Sequence, residues 1–318
     1  MTNGGAMVEN QEKTTRKKSG KPWYKGWRLY TLLAPGIILL LLFNYLPMYG
    51  IIIAFKDYIP SKGILGSEWV GFKHFTRFFE SYLFKDLFIN TFRISIYSLL
   101  INTPLPIILA LLLNEVKAKG VKRTVQTISY APYFVSTVVV CSMCFTFLNV
   151  DRGIINKLLV GLGFEPFAFM ESAAAFPWVY VLSGVWQGVG WSAIIYVGTL
   201  SGIDPCLHEA AQIDGASRMQ RIWHINIPHI MPIASVMFIL AVGNLLSVGF
   251  EKTYLLQTDL NRETSNIIAT YTYELVFKSR YQDWSYSTAV GLFNTLINLV
   301  FLLSTNFISK KMGGESLW

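Results

Sequence analysis

Charge is what this sequence has least of. Asp, Glu, Lys and Arg supply 14% of its 318 residues, against about a quarter in globular domains. The deficit is concentrated rather than spread. Leu29–Phe55, Ile94–Leu113, Thr127–Val150, Ser172–Ile203, Ile230–Phe250 and Ser285–Ser309 contain none of the four. Each run reaches the ~20 residues with which a helix crosses the hydrocarbon core of a bilayer, and a soluble core in a chain of this length does not hide six of them. Cysteine is scarce as well. Three cysteines make no disulfide framework. Cys141-Ser142-Met143-Cys144 has redox or metal spacing, but it falls in mid-run with no partner pair, so it reads as small helix-packing residues.

Catalytic signatures are missing too. The nearest approach to a Walker A loop, Gly66-Ser67-Glu68-Trp69-Val70-Gly71-Phe72-Lys73, puts Phe72 where the lysine belongs. His208-Glu209-Ala210-Ala211-Gln212 carries Gln212 where a zinc-binding His-Glu-x-x-His needs its second histidine. His224 and His229 flank Pro228 and share no dependable helix face. The expectation is a chain with no catalytic residue, no metal and no cofactor of its own. The charge-free runs also lack the buried ionisable groups through which stand-alone channels and secondary transporters usually couple.

What is present is apolar: 53% of the chain. In lipid only a helix satisfies its own backbone hydrogen bonds, so the reading is an all-α polytopic membrane protein with six transmembrane helices. Pro35, Pro47, Pro104 and Pro106 predict kinks inside the runs. The basic residues set the orientation. Lys13, Arg16, Lys17, Lys18, Lys21, Lys25 and Arg28 make residues 1–28 a basic arm with no cleavage site of the secretory kind. Lys117, Lys119, Lys122 and Arg123 crowd one short turn, Arg218 and Arg221 sit in a loop, and Lys310 and Lys311 end the last run. These are fifteen of the 27 basic residues, and the positive-inside rule puts both termini in the cytoplasm of a multi-pass cytoplasmic-membrane protein. A pI near 9.3 is then a topology signal and not a nucleic-acid signal. The divisions that follow are the arm 1–28, a first helix 29–55, an aromatic external segment 56–93, a five-helix core 94–309 and a cytoplasmic tail 310–318.

One cytoplasmic segment, 202–228, is too long for a turn and too polar to span. Asp204 can cap a helix that starts at Pro205. Gly215 permits a reversal, and Ser217 can cap a second short helix running through Arg221 and Trp223 to a stop at Pro228. Inside the runs, Trp186, Gln187, Asn244, Asn294 and Asn298 are candidates for a substrate path, since aromatic faces with amide partners suit sugars. Hydrogen bonding between helices is the alternative role for each.

The segment reads Glu209-Ala210-Ala211-Gln212-Ile213-Asp214-Gly215, then Ile225, then Pro228. It resembles the EAA loop of ABC importer permeases, which lies between the fourth and fifth spans. Gly71-Phe72-Lys73-His74-Phe75, Asn90-Thr91, Ala131-Pro132-Tyr133, Gly153-Ile154-Ile155-Asn156 and Ser316-Leu317-Trp318 look like the oligosaccharide and polysaccharide branch, with maltose-type and alginate-type importers. His74 departs from a frequent Asn. The likeness covers nearly the whole chain after the arm, and it implies a coupling element built of Glu209, Ala210, Ala211, Asp214, Gly215, Ile225 and Pro228. Glu209 would meet a basic residue in the cleft of a separate ATPase, Ala210 and Ala211 would keep the helix slim, and Gly215 would make the bend. The implied partners are two ABC ATPases that hold ATP and Mg, a second homologous permease, an extracytoplasmic solute-binding protein, and a carbohydrate, with no nucleic acid. A nonsugar importer and a stand-alone transporter or channel are the alternatives.

Overall fold

The computed structural model describes residues 27–280, 282–311 and 316–317. The basic arm, apart from its last two residues, and Trp318 lie outside the described residues. The chain divides into two units, Met1–Gly50 and Ile51–Trp318. The first contains most of helix α1 (Tyr30–Phe55). This helix widens into a π turn at Leu41–Tyr45, which makes room for Pro47, and tightens to a 3-10 turn from Tyr49 to Phe55.

The second unit opens with two short antiparallel strands, β1 (Lys56–Asp57) and β2 (Glu68–Trp69), in register Lys56↔Trp69. Helices follow in the order α2 (Lys73–Phe79), α3 (Phe84–Glu115), α4 (Lys119–Phe134), α5 (Thr137–Phe147), α6 (Ile154–Gly161) and α7 (Phe176–Ser201). Then come α8 (Pro205–Ile213), α9 (Arg218–Gly243), α10 (Phe250–Leu256), α11 (Ile268–Phe277) and α12 (Trp284–Lys311). Among the described residues α1, α3, α7, α9 and α12 are long and apolar enough to cross a membrane, and a sixth span exists if the bent pair α4–α5 counts as one.

Three of the expected spans differ from their charge-free runs. The third is not one straight helix. It breaks by 102° between α4 and α5, where Pro132 ends one helix, Val135 is extended, and the Ser136 hydroxyl caps the next by accepting from Val139 N at 3.4 Å. The second starts ten residues early, at Phe84, so Lys85, Asp86 and Arg93 ride on its first turns. The fifth starts at Arg218, and Pro228 is not the stop that was expected. A π turn at Ile222–Asn226 widens the helix just ahead of the proline, as in α1, and α9 runs on to Gly243.

Three apolar clusters hold the second unit together. One joins α3, α5 and α7 to α10 through Ile94, Cys141, Val179 and Leu256, which gives Cys141 its packing role. Another joins α3, α7 and α9 through Ala110, Tyr196, Leu200, Ile203, Ile230 and Ala234. The third packs α2, α3, α11 and α12 through Phe78, Leu87, Ile268 and Tyr286. Buried amides tie the connecting segments to these helices. Asn90 donates to Glu263 O (2.7 Å) and Asn266 O (3.1 Å), and Asn156 grips Phe167 through N and O at 2.8 and 3.0 Å. Asn261 Nδ2 donates to Met170 O at 2.8 Å and Leu256 O at 3.1 Å. Beside the strands, the Lys73 ammonium bonded to Asp57 at 2.6 Å holds that carboxyl below the usual carboxylate range, and His74 adds a contact at 3.0 Å.

Candidate functional site: a coupling loop and a polar cavity

The loop between α7 and α9 is built by local rules. Asp204 is extended and its Oδ1 accepts from Cys206 N at 2.9 Å, while Pro205 fills a first-turn position that needs no donor. At the other end Gly215 sits at φ +80°, and Ala216 N closes back on Ala211 O at 2.8 Å. A Cβ on Gly215 would meet nothing within 4 Å, so the backbone angle alone calls for glycine here. Ser217 N then donates to Gln220 Oε1 at 2.7 Å and Ser217 Oγ accepts from Gln220 N at 3.3 Å, a complete capping box at the start of α9.

The result is a short projecting helix with Glu209, Ala210, Asp214 and Gly215 exposed and Ala211 half-buried. Leu207 and Ile213 are also exposed, Ile213 at 87%. The motif singled out the charge and the small residues but not these two apolar side chains, which widen the surface a protein partner would cover. Ile225 and Pro228 stand apart from the knob. Ile225 packs on the apolar cluster of α3, α7 and α9, and Pro228 lies on the exposed side of α9. Their place is at the root of the projection, where α9 enters the bundle.

Both helices flanking the loop lead to a cavity of about 420 Å³. Its walls come from α3 (Ser95, Ser98, Asn102), α7 (Tyr180, Gly184, Gln187), the end of α9 and the turn after it (Ala241, Asn244, Ser247), and Lys252 of α10. Gln187 Nε2 donates to Val135 O at 2.8 Å, in the elbow between α4 and α5, and Asn244 Nδ2 donates to Leu240 O at 3.0 Å. Of the five predicted path residues these two meet here. Trp186 faces elsewhere, into an apolar pocket with Met143, Phe147 and Trp178. Asn298 is structural: its Oδ1 accepts from Leu246 N at 2.8 Å and its Nδ2 donates to Ser247 Oγ at 2.9 Å. Asn294 donates to Leu246 O at 3.3 Å, so both pin the turn after α9 onto α12.

Charge counting missed Lys252, because it lies two residues beyond the charge-free run of the fifth span. After that run, α10 folds in against α5 and α7. Lys252 Nζ donates to Tyr180 O at 2.8 Å and lies 4.8 Å from the Tyr180 ring centroid. The charge-free runs themselves hold no such group, and Lys252 reaches the cavity from α10, outside them.

Most of the chain is similar to known transport proteins. Residues 102–314 match the family described as binding-protein-dependent transport system inner membrane component. The polygalacturonan/rhamnogalacturonan transport system permease protein YteP of Bacillus subtilis (strain 168) is 45% identical over 290 residues, 91% of this chain and 90% of that one. Protein LplB of the same strain is 43% identical over 290 residues, with 91% of each chain covered. A solved bacterial ABC transporter involved in the import of the acidic polysaccharide alginate contains a chain superposing with a TM-score of 0.82 at 38% identity, covering 91% of this chain and 96% of that one. The bacterial alginate ABC transporter in complex with alginate pentasaccharide-bound periplasmic protein gives 0.84 at 37% identity, with 92% and 98% covered. This chain belongs to the inner membrane components of binding-protein-dependent transport systems, as the permease subunit of an ABC importer.

Proposed function

We propose that the chain carries an oligosaccharide or polysaccharide across the cytoplasmic membrane, as one of two homologous permease subunits driven by a pair of separate ABC ATPases. An extracytoplasmic binding protein delivers the glycan, and ATP and Mg stay on the ATPases. Both termini face the cytoplasm, so that the Glu209 knob faces the ATPases.

The observation that carries this reading is mechanical continuity. α9 is one helix of 26 residues from the capped root of the knob to Gly243, which at 1.5 Å per residue spans ~39 Å. Its far end forms a wall of the polar cavity. A push on the knob would reach the cavity through one continuous helix and not through a chain of loops, the kind of contiguous element that can carry coupling between distant sites. The relatives named above support the cargo class, with YteP named for polygalacturonan and rhamnogalacturonan and the solved transporter for alginate.

The test is Glu209→Lys in the reconstituted complex. Exposed Glu209 meets a cation on the ATPase, so reversal turns attraction into repulsion and weakens ATPase binding by at least about ten-fold, with uptake falling alongside. An ATPase carrying the reciprocal reversal restores part of both. Unchanged assembly and uptake in Glu209→Lys would remove the electrostatic docking role from this residue.

A further inference from the structure

Among the described residues, Lys252 is the one charged residue on the cavity wall; the side chains around it are hydroxyls, amides and apolar groups. Its ammonium holds three donors, and the chain meets it with Tyr180 O at 2.8 Å and the face of the Tyr180 ring at 4.8 Å. Among the described residues it forms no ion pair. A half-buried ammonium without a counter-charge costs stability, and an ionisable group at membrane depth is a mark of function. The depth follows from α7: Tyr180 and Gln187, both on the wall, lie ~6 and ~17 Å along the span that starts at Phe176.

The ammonium is also held in place. Tyr180 is fixed at both ends: its hydroxyl accepts from Gly249 N at 3.0 Å while its carbonyl takes Lys252. A Cβ on Gly184 would stand 3.1 Å from Nζ, so the glycine leaves the room that the ammonium occupies. The cavity itself, at about 420 Å³, has space for roughly a dozen waters at ~30 Å³ each. Neutral hydroxyls and amides solvate a small cation as readily as a solute, so the rest of the lining gives no barrier to Na⁺, K⁺ or a proton carried on water.

We infer that Lys252 is the cation barrier of the translocation path: its fixed charge keeps Na⁺, K⁺ and protons out of the cavity while a larger solute passes. Two like charges ~6 Å apart at an effective dielectric constant of ~20 repel enough to lower occupancy roughly a hundred-fold. A membrane potential of about 100 mV, negative inside, draws a monovalent cation inward by about fifty-fold, so one ammonium offsets it. An importer that opens its cavity at every cycle would otherwise discharge the ion gradients across its membrane. The charge acts on ions and not on the cargo, so the inference is independent of the glycan reading above. A plain tether of α10 to α7 would need only a donor to Tyr180 O, which a neutral side chain supplies.

The experiment uses the complete complex with its binding protein in proteoliposomes, with the ATPases cycling on ATP, and follows the entry of radioactive Na⁺ and Cl⁻. The readout is the Na⁺-to-Cl⁻ ratio of the ATP-dependent flux, from which a change in cycling rate or in the amount of assembled complex cancels. Lys252→Gln, which keeps an N–H donor and removes the charge, raises the ratio at least about ten-fold, and Lys252→Arg keeps it within about two-fold of the unsubstituted complex. Asn244→Asp places a carboxylate on the same wall with the lysine intact and raises the ratio as well, which serves should Lys252→Gln fail to assemble. Na⁺ and Cl⁻ rising together in Lys252→Gln overturn the inference and leave Lys252 a tether of α10. A ratio unchanged by both substitutions overturns it too, as does Na⁺ excluded from every variant, since the cavity would then need no charge. Coupling through the Glu209 knob is tested separately and stands in each of these cases.

Discussion

At the scale of single residues, two asparagines of the same composition class part company. Asn298 is buried and completes the backbone of another element by accepting from Leu246 N at 2.8 Å. Asn244 bonds only within its own helix, to Leu240 O, and faces the cavity. Asn298→Ala leaves a buried N–H without a partner and should cost about 1–2 kcal/mol, whereas Asn244→Ala loses a local bond and should change stability much less. Thermal unfolding of the purified complex in detergent measures both. Equal losses would mean that the turn after α9 is not held by α12 through Asn298. Sequence alone could not separate the two roles, because a polar residue in an apolar run looks the same whether it faces a cavity or a neighbouring backbone. Lys252 shows the converse: its meaning depends on α10 folding inward, which no count of charges along the chain contains.

At the scale of elements, the placing of charge located most of the architecture. The six charge-free runs each correspond to a helix or to the bent pair, and Asp204, Gly215 and Ser217 cap or turn the loop as their chemistry predicts. Legibility failed where long-range packing or a π turn overrode a local rule. Pro228 ends helices in isolation, yet a widened turn lets α9 pass it. The break between α4 and α5 is tied to a contact far along the chain: a Cβ on Gly190 of α7 would stand 2.0 Å from Ser129 O of α4. Backbone atoms cannot step aside as a flexible side chain does, so Gly190→Ala must push α4 away from α7. The expected cost is about 1–3 kcal/mol or more, read as a melting temperature lowered by several degrees and a loss of correctly assembled complex. Gly188→Ala is the internal control, since nothing lies within 4 Å of its Cβ, and it should be neutral or stabilising. If both substitutions behave alike, the close crossing of α4 and α7 is absent from the assembled transporter.

At the scale of the whole molecule, the mechanism requires the knob and the polar cavity to act from opposite ends of the same helices, with the knob in the cytoplasm. The chain has a natural reporter for this arrangement. Of its three cysteines, Cys141 is buried, Cys144 is half-buried and Cys206 is exposed on the first turn of α8. Thiol reagents follow access to the thiolate, so a membrane-impermeant maleimide should modify Cys206 far faster than the other two. Labelling should occur in inside-out vesicles and be nearly absent in intact right-side-out cells or spheroplasts. If the ATPase docks on α8 as proposed, it should protect the same thiol, because Cys206 lies within one turn of Glu209. Protection lost together with binding in Glu209→Lys would join topology and coupling in one measurement. Rapid labelling from outside the cell would invert the orientation that the basic residues imply, and with it the direction in which α9 transmits force. Cytoplasmic labelling indifferent to the ATPase would keep the topology and move the docking surface off α8.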